Sequence, residues 1–191
     1  MLGATLDAKS LLAATLKTQR QMLGDEHSDT LTTMERLADL YRRHGENEPA
    51  QTLLAEALGG RRRLFGREHL DTVVDLTKLA LVHLQQQRYA EVQSLLRDIA
   101  SGSAPGAWQR DFSLCVLGAA LSGKKKYEEA ERLLTEGYQR MTEHAATIPA
   151  DGRTALQLAG QWIIQLYQAS GRPQLASEWN ARLAASGKTQ K

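Results

Sequence analysis

The residues in this 191-residue sequence whose types and spacing could do chemistry are a histidine and a carboxylate two positions apart. "EHSD" runs from Glu26 to Asp29 and "EHLD" from Glu68 to Asp71. His27 with Asp29, or His69 with Asp71, could ligate a metal or share a proton in acid–base work. The pair returns unchanged after 42 residues, however, and a catalytic pair is seldom duplicated in place. Each Asp also stands where a helix is expected to start, and a carboxylate there satisfies free N–H groups and meets the positive end of the helix dipole. The spacing therefore predicts that Asp29 and Asp71 are caps. His44, His83 and His144 have no spaced partner.

The other reactive groups point the same way. Cys115, the single cysteine, sits in "DFSLCVLGAAL" without a basic neighbour to lower its pKa, so a buried core thiol is expected. It also excludes an internal disulfide. Gly-rich phosphate loops, nucleophile elbows and zinc-binding helix motifs do not occur. Arg61, Arg62 and Arg63 fall on the tail of a helix, and Lys124, Lys125 and Lys126 on a turn. Both runs read as solvated charge near a helix C-terminus. No enzyme, cofactor or metal is expected. The 24 basic residues against 22 acidic give a net charge of +2, and no aromatic platform is interleaved, which disfavours nucleic acid. Asp7 and Lys9 interrupt any signal-like apolar run, and no stretch could span a membrane, so a cytoplasmic protein is expected.

The elements that would position these groups are helices. The chain holds 30 Leu and 26 Ala but only 4 Ile and 5 Val, a bias toward residues that lose little on entering a helix. A repeat organises them. "LGDEHSDT" (Leu23 to Thr30) returns as "FGREHLDT" (Phe65 to Thr72), and at the same shift Leu37 and Ala38 fall on Leu79 and Ala80. Ala8, Leu11 and Leu12 fall on Ala50, Leu53 and Leu54, then on Val92, Leu95 and Leu96. Ala130 and Ala176 continue the series after 38 and 46 residues. Within a copy, apolar residues three and four apart define two helices with a short turn. The periodicity predicts helices over 5–23, 29–44, 47–64, 71–86, 89–101, 107–122, 127–145, 151–170 and 174–186. Small residues mark where each pair crosses: Ala38, Ala80 and Gly118 on first helices, Ala50, Ala130 and Ala176 on second ones. In the last copy Ile164 takes the small residue's place.

The small residue, the aromatic three later and the Ala twelve later in "LADLYRRHGENEPAQTLL" resemble a tetratricopeptide repeat (TPR), as does "GKKKYEEAERLL". The 42-residue period with "LG.EH.DT" is similar to the kinesin-light-chain type. "GKKKYEEAERLLTEGYQRM" and "LYQASGRPQLASEWNARL" resemble the TPR tails of bacterial serine/threonine protein kinases, without any kinase catalytic motif. The resemblance implies an all-α fold: a right-handed α-solenoid of antiparallel helix pairs, with nine helices in about four and a half repeats. It would form one domain over 1–191, with a half repeat at 5–23 and repeats at 29–64, 71–101, 107–145 and 151–186.

Such an array is expected to bind a protein or peptide along the concave surface lined by its first helices. The off-stripe positions there are Glu35, Arg36, Asp39 and Arg43, then Thr77, Lys78, Leu81 and Gln85, and last Gln161, Trp162 and Gln165. Kinesin-light-chain repeats tend to carry paired Asn before the Leu-Ala. Here Glu35–Arg36, Thr77–Lys78 and Cys115–Val116 stand instead, so Arg36 and Lys78 would meet a carboxylate or phosphate. Trp162 could equally anchor a partner or belong to the core. The first helix is of the second type and has no partner helix, so Ala8, Leu11, Leu12 and Leu16 are expected to lack one side of their packing. A homodimer contact or an upstream domain would cover them.

Overall fold

A computed structural model describes residues 2–101, 107–149 and 152–188. Among them are nine α-helices and no strand: α1 (Leu2–Leu23), α2 (Ser28–Arg43), α3 (Asn47–Phe65), α4 (Leu70–Gln85), α5 (Tyr89–Ser101), α6 (Trp108–Gly123), α7 (Tyr127–Glu143), α8 (Arg153–Ala169) and α9 (Pro173–Lys188). A short 3-10 turn, Ala145–Thr147, precedes α8. The expected helices are all present, with ends displaced by a few residues.

One turn, used four times, makes the helix pairs. Gly45 donates to the Arg42 carbonyl at 3.0 Å and Glu46 to that of Tyr41 at 2.9 Å. The same two bonds recur as Gln87 to Leu84 and Arg88 to His83, as Lys125 to Ser122 and Lys126 to Leu121, and as Gly171 to Gln168 and Arg172 to Tyr167. This is the Schellman closure, which satisfies the last carbonyls of the first helix and needs a left-handed residue after it. The four residues in that place have φ of +75° (Gly45), +58° (Gln87), +61° (Lys125) and +74° (Gly171). Ala50, Val92, Ala130 and Ala176 then donate to Glu46, Arg88, Lys126 and Arg172, which starts the second helix. The weak later copies of the sequence repeat thus share their backbone with the strong ones.

The chain divides into two compact units, Met1–Val82 and His83–Lys191. In the first, the apolar faces of α1, α2 and α3 meet in a core of Leu16, Leu31, Met34, Leu37 and Ala57, with Leu12, Tyr41 and Leu53 packed against it. Each fully buried Leu contributes about 1.5–3 kcal/mol relative to exposure. Ala38 and Ala50 are fully buried, as the crossing rule requires.

In the second unit, α6 packs on α5, α7 and α8, and α9 on α8. The α6–α7 crossing is made by glycine on both sides. A Cβ at Gly118 would lie 2.7 Å from Leu134, and one at Gly137 would lie 2.7 Å from both the Asp111 carbonyl and Cys115 Sγ. Ile164, the larger residue at this place in the last pair, is half-buried, and the close approach moves to Gly160, where a Cβ would come within 2.6 Å of Leu183.

Candidate functional site

The first-helix positions in the Met1–Val82 unit lead into a buried charge cluster. Arg61, on α3, donates through Nη1 to Asp75 Oδ1 of α4 at 2.6 Å and to Glu35 Oε2 of α2 at 2.7 Å. Its Nη2 donates to Thr32 Oγ1 at 3.3 Å, and Lys78 pairs with the other Glu35 oxygen. Arg61 and Asp75 are sealed from water, whereas Glu35 and Lys78 lie at the edge. The solvated helix end expected for Arg61 is therefore corrected. Two carboxylates from neighbouring helices compensate its burial, and the guanidinium suits such a shared contact. Burial alone would raise the Glu35 pKa, but Lys78 and Arg61 hold it below its ordinary value. Asp75 shows the opposite balance: burial, opposed by Arg61 and aided by the Glu35 charge, pushes it up to about 7.

This cluster changes what the predicted residues can offer a ligand. Glu35 and Lys78 are brought together and satisfy each other. Thr77 is buried, and its hydroxyl donates back to the Val73 carbonyl at 2.7 Å; Leu81 is buried too. Asp39 is held by Arg42 at 2.7 Å and Arg43 at 2.9 Å; burial acts upward on its pKa, and these arginines with Lys78 bring it below the ordinary value. Arg36 stays exposed on α2.

In the His83–Lys191 unit, Trp162 on α8 stacks on Phe112 of α6, with ring centroids 5.8 Å apart and planes 15° from parallel. Phe112 is buried, Trp162 is half-buried, and Gln161 and Gln165 beside it are exposed. Trp162 is thus both core and surface. Gln85, at the end of α4, is also exposed. Cys115 is buried, and desolvation, with the nearby Asp111 charge adding to it, pushes its thiol far above the reactive range.

The histidine–aspartate pairs are caps, with the roles exchanged. His27 is the N-cap of α2, and its Nδ1 accepts from the Asp29 N–H at 3.2 Å. His69 Nδ1 accepts from the Asp71 N–H at 3.3 Å. The ring nitrogen, not the carboxylate, satisfies the backbone, while each Asp sits in the first turn. No group of three or more metal-ligating side chains occurs among the described residues, and no described helix is long and apolar enough to cross a membrane.

On α1, Leu16 is buried in the core and Leu12 packs against it. The expected one-sided packing is therefore confined to Ala8, half-buried, and Leu11, which is 67% exposed.

Residues 30–71 match the tetratricopeptide repeat family. No curated protein matches the chain. Among solved structures, it resembles the nearly identical TPR-like repeats of a Podosopora anserina chain assigned to the kinesin light chains, with a TM-score of 0.69 and 23% identity over 99% of this chain and 90% of that one. A variant of those repeats gives a TM-score of 0.73 at 22% identity, covering 98% of this chain and 89% of that one. BtubC (BKLC) from P. vanneervenii is similar with a TM-score of 0.69 and 16% identity, over 98% of this chain and 75% of that one. The chain carries a tetratricopeptide repeat at residues 30–71, and its described helices take an α-solenoid fold similar to that of kinesin-light-chain-like TPR proteins.

Proposed function

We propose that this chain is a non-catalytic scaffold that holds a peptide or protein on the exposed faces of its first helices. The observation that carries this reading is Trp162, stacked on Phe112 and left half-exposed between two exposed amides, Gln161 and Gln165. A rigid aromatic with a free face and adjacent hydrogen-bonding groups is the usual make-up of a binding hot spot. Arg36 supplies an exposed cation on the other unit, suited to a ligand carboxylate or phosphate. The candidate reactive groups support a role without catalysis, since both repeated histidines serve as caps and the thiol is sealed. The likeness of the second half to bacterial kinase tails favours a regulatory segment of a signalling protein.

The test is affinity capture from a lysate on wild type, on Arg36→Glu and on Gln161→Ala/Gln165→Ala, each first shown to melt normally. Lys78 is not a suitable target, because its loss would leave the second Glu35 oxygen without its cation and disturb the buried cluster. A protein held by wild type and depleted on either variant supports the reading. An identical set on all three overturns it.

A further inference from the structure

The turn that leads from α3 to α4 repeats the one from α1 to α2, with one charge reversed. Gly24 donates to the Arg20 carbonyl at 3.2 Å and Gly66 to that of Arg62 at 3.1 Å, with φ of +88° and +85°. His27 and His69 then accept from the N–H two residues on, at 3.2 and 3.3 Å. The two turns share these anchoring bonds, so side chains 42 residues apart start from equivalent places. In the first copy Arg20 Nε lies 3.0 Å from Asp25 Oδ1, and Glu56 engages Nη2 of the same guanidinium. In the second the counterparts of Arg20 and Asp25 are Arg62 and Arg67. The guanidinium is kept, and a second guanidinium stands in the place of the carboxylate.

Arg62 is left electrostatically incomplete. It makes neither an ion pair nor a side-chain hydrogen bond among the described residues, although its Nε is enclosed. Burial, and after it the Arg67 charge, brings its pKa below the ordinary value. The negative pole of α3 offsets part of the charge, but Arg20 has the same pole on α1 and is paired twice besides. Glu68 does not account for the difference, since its counterpart Glu26 is present in the first copy too. Phe65 stacks on His69 across the turn with ring centroids 4.6 Å apart, which holds the segment carrying Arg67 in place. We propose that Arg62 and Arg67 bind an oxyanion, a phosphate or carboxylate group of a ligand, with one oxygen set against Arg62 as Asp25 Oδ1 is set against Arg20. The planar N–H forks of arginine match two oxygens of either group. Arg62 is in the last turn of α3 and Arg67 in the linker after it, so this site is separate from the first-helix faces.

The test is thermal melting of the full chain at fixed pH and ionic strength, with chloride exchanged stepwise for inorganic phosphate or, in a second arm, for acetate. Wild type should show a saturating rise of about 3–6 °C at ten times the dissociation constant. Arg62→Gln and Arg67→Gln should each lose that rise. Melting in chloride alone is the reference for each chain, so a change in basal stability does not mask the response. Arg36 is present in all three chains, and any anion it attracts cancels in the comparison. A rise in one arm alone, absent from both variants, identifies that oxyanion as the ligand group, and a rise in both arms assigns the site to either. No saturating rise in wild type, or a rise that either variant retains, overturns the proposal.

Discussion

The Arg61 guanidinium and the Asp75 carboxylate meet at 2.6 Å, both sealed from water, and only one of the two Asp75 oxygens is paired. Oδ2 has no hydrogen-bond partner, so the ionised form is half-satisfied. A proton there lessens the desolvation cost, which is why burial outweighs Arg61 and brings the Asp75 pKa up to about 7.

The sign of the resulting pH dependence follows from the raised value. Between the unfolded value near 3.8 and about 7, the folded chain binds a proton that the unfolded chain does not. Asp75 therefore adds stability that is full below that window and lost as pH rises through it, on the order of a few kcal/mol. Glu35, whose pKa is lowered, works in the opposite direction and loses its contribution as pH falls below about 4.5. Denaturant unfolding at pH 5 and pH 8 should show Asp75→Asn flattening the decline seen in wild type. Equal slopes in the two proteins would contradict the raised value.

Removing the cation is a separate matter. Arg61→Met should leave Asp75 and Glu35 facing each other with only Lys78 to compensate, at a cost of about 3–5 kcal/mol. Arg63→Met, two residues on, breaks only an exposed pair with Glu26 and should cost under about 1 kcal/mol. Urea midpoints at constant m-value compare the two directly.

The four shared turns give a third expectation. Gln87 and Lys125 hold left-handed backbone, which costs a residue with a Cβ about 1–2 kcal/mol. Replacement by Gly at either place should raise stability by up to about 1 kcal/mol after the entropy of the unfolded glycine is counted. Gly45→Ala should lower it by a similar amount. Melting temperatures of the three variants would show the opposite signs, or disprove the assignment.

At the α6–α7 crossing, the partner atom decides the cost. A methyl at Gly137 would press on the Asp111 carbonyl, which is backbone and cannot swing aside. Gly137→Ala should therefore destabilise by roughly 1–3 kcal/mol. Gly59→Ala, where the nearest atom is the end of the Arg63 side chain at 3.5 Å, should be neutral or stabilising. Calorimetric melting of the pair checks the contrast.

The helices, their order and the crossing residues were legible in the sequence because they depend on periodicity and side-chain size, which are local. All four turns follow from the helix limits, but Gly45 and Gly171 mark their left-handed residue whereas Gln87 and Lys125 do not, since left-handed backbone favours glycine without demanding it. Arg61 could not be told from Arg62 and Arg63 by composition. Its burial depends on Asp75 and Glu35, 14 and 26 residues away, arriving on the same side of α3. Thr77 read as a polar surface residue because its hydroxyl's partner is the carbonyl four residues back, a bond that frees the side chain to be buried. The histidine caps were misassigned for a narrower reason: His27 and Asp29 both fit a helix start, and only the extended backbone at His27 selects the ring.

The unvarying hairpin turn also says where this chain can change. Every linker inside a pair is three residues long, whereas those between pairs run from four residues (24–27 and 66–69) to nine (144–152). Length varies only between hairpins, so the constant unit is the closed pair. Recombination that respects those seams would exchange whole hairpins like cards in a rack, while a single inserted residue inside a turn would rotate every side chain of the following helix out of register.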